Sequence, residues 1–486
     1  MTVHDKLFIG GEWVVPATTA TIEVVSPHTE EVIARVPEGK EADIDRAVAA
    51  AREAYDNGPW PRMRGGERAD VMARLGAALQ QRAETMASTI TAEMGCPISF
   101  STVGQVMASY MVLDYFTNLA RQFPFEEVRP GMLGPALVRR EGVGVCAAIV
   151  PWNVPLFVTM LKLAPALAAG ATVVLKPAPE TPLDAVLLAD ALIEAGVPKG
   201  VVNIVPAGRE VGEYLVTHRD VDKVSFTGST TAGRRIASLC GERLRRVTLE
   251  LGGKSAAIIL EDADLNMVIP GLLPAAMMNN GQACIAQTRI LASRKRYDEV
   301  VSAFVEAVQS MSVGDPMEPT TMCGPLVAAR QRERVEGYIA IGKQEGAHIA
   351  VGGGRPAGLT RGWYVEPTVF VGVDNAMRIA REEIFGPVVA VIPYDDPDDA
   401  VRVANDSDYG LSGSVWTADV EHGIDIARRV RTGTYTVNGF AMEFSAPFGG
   451  FKSSGLGREL GPEGLNAYLE PKTINLPMGY EAVPEA

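Results

Sequence analysis

Between Gly144 and Leu251 short apolar runs alternate with stretches of helical length. Gly144–Val150 (GVCAAIV), Thr172–Leu175 (TVVL), Val201–Val205, Lys223–Phe226 and Val247–Leu251 read as strands. Pro155–Ala169, Leu183–Ala195, Val211–Thr217 and Ala232–Cys240 read as the helices between them, the first stopping at Gly170. Crossover units of this size join parallel strands. Strands read as uninterrupted apolar runs predict a sheet covered on both faces.

A second alternating series follows. Ala256–Leu260, Arg289–Ala292, Val388–Ile392, Ser414–Trp416 and Thr434–Val437 are predicted strands; Asp298–Met311, Arg330–Gln344 and Ile424–Val430 are predicted helices. Two α/β units with a break near Gly252–Gly253 are the economical reading. The first 115 residues add a β piece and two amphipathic helices, Ile44–Tyr55 and Glu67–Glu93. Residues 122–141 carry Gly-Pro and Pro-Gly turns and predict a hairpin. The tail from Pro471 is too short to fold alone.

Composition narrows the partners. With 59 acidic and 45 basic residues in 486, the formal charge is -14. Nucleic acid and anionic membrane both demand a basic surface, so neither is expected as a partner. Residues 142–161 are uncharged for long enough to span a bilayer, but Pro151, Asn153 and Pro155 interrupt them and Lys162 follows. They read as strand, turn and buried helix. The five cysteines at 96, 146, 240, 284 and 323 form no C-x-x-C, and the five histidines no H-x-x-x-H. Neither a disulfide framework nor a metal site is expected. Met1 to Gly10 lacks the pattern of a signal peptide, so the cytoplasm is the expected location.

Two glycine-rich stretches resemble phosphate loops and fail on context. Gly142–Ala147 fits G-x-G-x-x-A but precedes a strand; Gly252–Ser255 ends like a P-loop, but the required first glycine is Thr248. Phe226–Gly233 (FTGSTTAG) is better placed, between a strand and a helix. There Ser229 and backbone amides can hold a phosphate, or simply cap the helix.

Cys284 lies in a polar, glycine-containing loop (NNGQAC), whereas the other cysteines lie in apolar or helical contexts. It reads as a nucleophile or as a small core residue. Glu250 ends an apolar strand beside Gly252 and Gly253, where partial desolvation raises a carboxylate toward the range of a general base; a surface strand end is the alternative. Lys176 follows TVVL at the carboxyl end of a parallel strand, where open α/β sheets bind ligands. Asn153, between Pro151 and Pro155, has a rigidly placed amide, or is turn chemistry alone.

Together these segments resemble the aldehyde dehydrogenase superfamily of the NAD(P)-dependent, non-acylating type. PWNVP at 151–155, LKP at 175–177, FTGST at 226–230, LELGGK at 249–254, GQAC at 281–284, EEIFGPV at 382–388 and PFGGFKSSGLGRE at 447–459 match its motifs in order. The resemblance implies a nucleophilic Cys284, an oxyanion held by the Asn153 amide and the Cys284 N–H, and Glu250 activating the deacylating water. The site must then favour the thiolate. Lys162 is similar to a family lysine near the active site and would relay protons with Glu470. For the cofactor it implies Lys176 at the adenine ribose, Gly228, Ser229 and Gly233 at the pyrophosphate, Trp152 nearby, and Glu383, Phe385 and Gln331 at the nicotinamide ribose. The channel walls would be Val154, Val158, Leu161, Ile285, Met442 and Phe448. Glu443 lies close by and would favour a cationic substrate if it points inward.

The implied fold is a Rossmann-like cofactor domain (1–121 and 142–252), an α/β catalytic domain (253–465) and a small β oligomerisation element (122–141 and 466–486). A homodimer or homotetramer is expected, with an apolar aliphatic or terpenoid-like aldehyde as substrate. Where NAD-specific members often place a glutamate three residues after the lysine, this chain has Pro179, with Glu180 next; NAD is expected and NADP remains possible. A CoA-acylating enzyme is the first rival reading, against which Glu250 counts. A non-catalytic protein with this fold is the second, against which the joint presence of Cys284, Asn153 and Glu250 counts.

Overall fold

The computed structural model describes residues 2–480. Residues 481–486 of the expected tail element lie outside the described residues. An eight-stranded sheet runs in the order Gly455–Leu456, Arg246–Glu250, Lys223–Thr227, Val145–Ile149, Thr172–Lys176, Val202–Ile204, Leu7–Ile9, Glu12–Val14. Its central strands, from Arg246–Glu250 to Val202–Ile204, are parallel. The edge strand Gly455–Leu456 is antiparallel to its neighbour. That edge comes from a segment assigned by sequence to the second unit, so the chain returns to the first sheet at the base of Glu250.

A seven-stranded sheet follows, ordered His348–Val351, Thr368–Val371, Val388–Tyr394, Arg289–Ser293, Ala256–Ile259, Gly413–Trp416, Thr436–Val437. Only the first pair is antiparallel. The chain crosses between the two sheets through residues 251–255. The expected hairpin is present as Glu126–Arg129 and Ala136–Gly142, and Leu469–Asn475 adds a third antiparallel strand.

The 142–161 segment resolves into the strand Val145–Ile149 and the helix Pro155–Ala169, with every residue of that helix buried. Pro155 starts it, where a missing N–H costs nothing, and Gly170 ends it at φ 82°. A helix apolar all round is a core helix. Among the described residues no helix is long and apolar enough to cross a membrane.

Three expectations are corrected. The single helix expected over Glu67–Glu93 is two, Gly65–Gln81 and Ala83–Met94, parted at Arg82, whose ψ of 6° leaves the helical range. A further helical run over residues 98–122 was not expected; its Ser99, Ser101, Thr102 and Gly104 dilute an otherwise helical spacing of Val112, Phe116 and Ala120. Two of the strands read as apolar, Lys223–Thr227 and Arg246–Glu250, instead alternate polar and apolar residues.

Candidate active site

Cys284 follows a loop whose backbone is left-handed at three successive residues, Asn279 (φ 54°), Asn280 (φ 60°) and Gly281 (φ 71°). Asparagine is among the few side chains that tolerate this region, and it must be held there by its bonds. Asn280 donates to the carbonyls of Gly95 and Pro325, both at 2.9 Å, and accepts from the Gly324 N–H at 2.6 Å. Asn279 donates to the carbonyls of Asn153 (2.9 Å) and Gln282 (3.1 Å). Gln282 accepts from the Val327 N–H at 3.1 Å. A side chain at Gly281 would strike the Gly386 carbonyl, and one at Gly253 would lie 2.3 Å from the Cys284 carbonyl oxygen. The loop is thus fixed from several sides.

Cys284 is half-buried while the other four cysteines are fully buried. Burial, then the charges of Glu383 and Glu250, push its thiol pKa well above the ordinary value; the N–H groups of Cys284 and Ile285 pull the other way and lose. The resemblance asks for a site that favours the thiolate, and the protein's own groups act in the opposite direction.

Asn153, 4% exposed, donates one side-chain N–H to the Gln282 carbonyl at 2.8 Å, and its own carbonyl also accepts from the Gln105 amide at 3.2 Å. Glu250, 3% exposed, ends its strand with neither carboxylate oxygen hydrogen-bonded. Burial, then Glu459, hold its pKa well above the usual carboxylate range, against the opposing pull of Lys162 and Arg458. A side chain at Gly449 would come within 2.7 Å of the Glu250 Oε1, so glycine there leaves the carboxylate its space.

Lys162, on the buried helix, donates to Glu459 Oε1 at 2.6 Å and Thr227 Oγ1 at 2.7 Å. Its expected partner Glu470 instead lies exposed and paired with Arg246 at the surface. Three glutamates, Glu459, Glu463 and Glu470, sit within a dozen residues at this end of the chain, and strand pairing carries Glu470 outward with Leu469–Asn475. The signal for Glu459 was a lone acidic residue ending a glycine-rich motif, GLGRE.

A second group gathers around Trp152. Its ring meets Phe385 edge-on at 5.3 Å and 87°. Phe385 is left-handed at φ 64°, and its carbonyl accepts from Gln331 Nε2 at 2.6 Å. Glu383 accepts from the Gly253 N–H at 3.0 Å, and a side chain at Gly252 would lie 2.4 Å from its Oε2. Burial raises the Glu383 pKa to about 7.

Lys176 is buried at its strand end and donates to the carbonyls of Pro177 and Ala207, each at 2.8 Å. Burial brings its pKa down to about 8. Gly212 adjoins its stem: a Cβ there would lie 3.3 Å away. Ser229 caps the helix Thr230–Glu242 by accepting from the Ala232 N–H at 3.3 Å. Gly228 sits at that mouth, and Gly233 packs against Leu251 with no room for a Cβ. Glu180 is paired with Arg330, the neighbour of Gln331.

Val158, Leu161 and Phe448 are buried in one apolar cluster, with Val154, Ile285, Met442 and Cys284 packed against it. Phe157 and Phe444, whose rings lie 6.4 Å apart, belong to the same cluster and were not singled out by sequence. Glu443 is exposed and turned onto its own loop, accepting from the Ser445 N–H at 2.9 Å and hydroxyl at 2.7 Å. Among the described residues no His, Cys, Asp or Glu cluster could hold a metal.

Comparison with known proteins gives the family that the motifs resemble. The model of the aldehyde dehydrogenase family matches residues 13–474. Geranial dehydrogenase of Castellaniella defragrans is 49% identical over 480 residues, 98% of this chain and 100% of that protein. A Pseudomonas 3-succinoylsemialdehyde-pyridine dehydrogenase is 42% identical over 99% of this chain and 100% of its own length. The crystal structure of a Mycobacterium tuberculosis aldehyde dehydrogenase complexed with NAD+ superposes with a TM-score of 0.97 at 51% identity, covering 99% of this chain and 100% of that one. Aldehyde dehydrogenase C of Pseudomonas syringae, solved as a mutant with NAD+ and octanal, gives 0.94 at 42% identity, covering 97% and 96%. The chain belongs to the aldehyde dehydrogenase family.

Proposed function

We propose that this aldehyde dehydrogenase oxidises apolar aldehydes, medium-chain aliphatic or terpenoid-like, to carboxylic acids with NAD, through a thioester on Cys284. The observation that carries the reading is the half-buried Cys284, held in a strained, fully tied loop between the Asn153 amide, the unpaired carboxylate of Glu250 and an apolar cluster.

Burial raises the Glu250 pKa, the direction that makes a carboxylate a stronger general base. The thiol gives its proton to water, the sulfur adds to the aldehyde carbon as the C=O π pair moves onto oxygen, and the new oxyanion is held by the free N–H of the Asn153 amide and the Cys284 backbone N–H. When bound, NAD would supply the hydride acceptor that the step from thiohemiacetal to thioester needs. Glu250 then takes a proton from water, whose oxygen attacks the thioester carbon; the C–S bond breaks and the acid leaves. Near that carboxylate Lys162 and Glu459 pair with each other, Glu459 raising its pKa and Lys162 lowering it.

The chain's residues fit a dinucleotide. Trp152, Phe385, Gln331 and Glu383 would hold the nicotinamide ribose end, with Gly252 and Gly253 leaving Glu383 its place. Gly228 and the Ser229-capped helix offer backbone amides to a pyrophosphate, with Gly233 packing that helix onto the sheet. Lys176, with one N–H free of its two carbonyl partners, would meet the adenine ribose. Pro179 leaves no carboxylate against a 2′-phosphate, and Glu180 is occupied by Arg330; NAD is preferred here because the solved relatives carry NAD+.

Val154, Val158, Leu161, Ile285, Met442 and Phe448 belong to or pack on one apolar cluster with Cys284 and would form an apolar channel wall, while Glu443 turns onto its own loop. Each buried CH₂ of a substrate is worth about 0.8 kcal/mol there. A relative named for geranial and another solved with octanal support this substrate class. The hairpin tip exposes Met132 at 97% and Leu133 at 91%, and subunit pairing into a homodimer or homotetramer would cover them. All five cysteines are free, which suits the reducing cytoplasm.

The test is NADH formation from hexanal, geranial, glycolaldehyde and betaine aldehyde, with and without CoA. The reading expects hexanal and geranial to have the higher kcat/KM, independent of CoA. A tenfold advantage for glycolaldehyde or betaine aldehyde, about 1.4 kcal/mol, overturns the apolar channel, and a strict need for CoA overturns hydrolysis.

A further inference from the structure

Residues 251–255 carry the chain from the first sheet to the second, and they end in two polar residues that the core has buried, Lys254 and Ser255. Arg289 packs against them as the first residue of the strand Arg289–Ser293, and it too is buried. It is bonded to the crossing twice. Its backbone N–H donates to the Ser255 carbonyl at 3.1 Å, and its Nε to the Lys254 carbonyl at 3.0 Å. Its Nη1 donates to Asn375 Oδ1 at 2.9 Å and to the Val403 carbonyl at 3.0 Å; its Nη2 donates to the Ala404 carbonyl at 2.9 Å. A guanidinium carries five N–H groups, so one on Nη2 is left free. Every acceptor around it is neutral.

Two cations are thus buried side by side without an anion. The carboxylates whose charge reaches them are engaged elsewhere. Glu383 accepts from the Gly253 N–H; Glu382 is paired with Arg378 and accepts from the Tyr338 hydroxyl; Asp406 is paired with Arg381. Among the described residues the Lys254 ammonium has neither an ion-pair partner nor a hydrogen-bond acceptor, and burial, then the charge of Arg289, bring its pKa down to about 7. The Ser255 hydroxyl is buried without a partner. Buried polar groups are ordinarily bonded, and buried charges paired. A small cavity adjoins these groups, lined by Lys254, Ser255 and Arg289 with Tyr409, Ser412 and Tyr435, and no carboxylate lines it. The Tyr435 hydroxyl is already given to the Ser414 carbonyl at 3.0 Å. A water-sized sphere has about 10 Å³ in which to place its centre, room for one small ion or one water and for no organic ligand.

We propose that this cavity is a binding site for one small monovalent anion of the halide class, chloride, held by the Lys254 ammonium, the Ser255 hydroxyl and the free N–H of Arg289. Sign and size set the class. Two cations repel a metal ion, and an organic acid or a phosphate exceeds the space. A halide accepts from all three donors at once and supplies the missing charge, whereas a water leaves both cations uncompensated. The bound anion ties the side chains of the crossing to the strand that its backbone already joins. That crossing holds Gly253 against the Cys284 carbonyl oxygen and under the Glu383 carboxylate, so the anion fixes the seam between the two sheets. It takes no part in the chemistry, and the site stands whether or not the assigned substrate class does.

Crystals of the full chain grown in sodium bromide, measured at the bromine absorption edge, test the site directly. One anomalous peak is expected in the cavity, in contact with Lys254 Nζ and Ser255 Oγ. In parallel, the melting temperature is followed as chloride replaces gluconate, which is too large for the cavity, at constant ionic strength and below the Lys254 pKa of about 7. The parent's melting temperature is expected to rise and saturate with chloride, as for any ligand of the folded state. Lys254→Met is expected to show no rise. Ser255→Ala is expected to need at least fivefold more chloride for half the rise, and it decides the matter if Lys254→Met fails to fold. A cavity holding only water, equal melting temperatures in chloride and gluconate, or an unchanged chloride requirement in Ser255→Ala overturns the site. A bromide peak without chloride dependence in solution marks an adventitious ion only and overturns it as well.

Discussion

The side-chain amide of Asn153 donates to the backbone carbonyl of Gln282 at 2.8 Å, across 129 residues of chain. One bond thereby joins the strand end that carries the proposed oxyanion donor to the loop that carries Cys284, and Asn279 reinforces it by bonding both carbonyls. Removing the amide takes away a donor and loosens the loop together. Asn153→Ala is expected to lower kcat by about 10²–10³-fold, measured as NADH formation from hexanal. A fall of less than tenfold would assign the oxyanion to other donors.

Lys162 and Glu459 form an ion pair with almost no solvent exposure on either partner. Taking away one charge leaves the other buried and uncompensated. Lys162→Met should cost about 3–5 kcal/mol of stability, read from urea unfolding, and Lys162→Met with Glu459→Leu should recover a large part of it. If the double variant is no more stable than the single, the pair is not the source of the loss.

Away from the active site, Asp184 is buried against Glu93, which caps the Leu183–Glu194 helix by accepting from the N–H groups of Leu183 (2.9 Å) and Asp184 (3.3 Å). Burial raises the Asp184 pKa to about 7, against about 3.9 in an unfolded chain. The folded state therefore holds the extra proton, and the stability it confers is present below about pH 4 and lost as pH rises toward 7. Asp184→Asn should flatten that decline and raise the melting temperature at pH 8 more than at pH 5. Equal shifts at both values would contradict the linkage.

The chemistry-bearing loops were legible in the chain because each advertises itself locally. Cys284 is the one cysteine in a polar loop with glycine, and Asn153 stands between prolines. What escaped were pairings made by the fold. Lys162 meets Glu459 across 297 residues, and nothing in the local pattern separates Glu459 from Glu470 until strand pairing sends one inward and the other to the surface. The polar ranks KVSFT and RVTLE were in plain view. They read as apolar runs because alternation in a strand matters only once its two faces are known to be buried. Phe157 and Phe444 join the apolar cluster beside Cys284 for a similar reason: their rings come together only when the Pro155–Ala169 helix packs against residues 442–448.

The account turns on an acyl group carried by Cys284 and released by Glu250. The most direct measurement is mass spectrometry of the Glu250→Gln enzyme, quenched in acid after mixing with NAD and octanal, with the peptides mapped. The account predicts one octanoyl adduct per subunit on the peptide containing Cys284, formed together with about one equivalent of NADH and persisting for many parent turnover times. NADH continuing at the parent rate with no adduct, or an adduct on any of the other four cysteines, would contradict it.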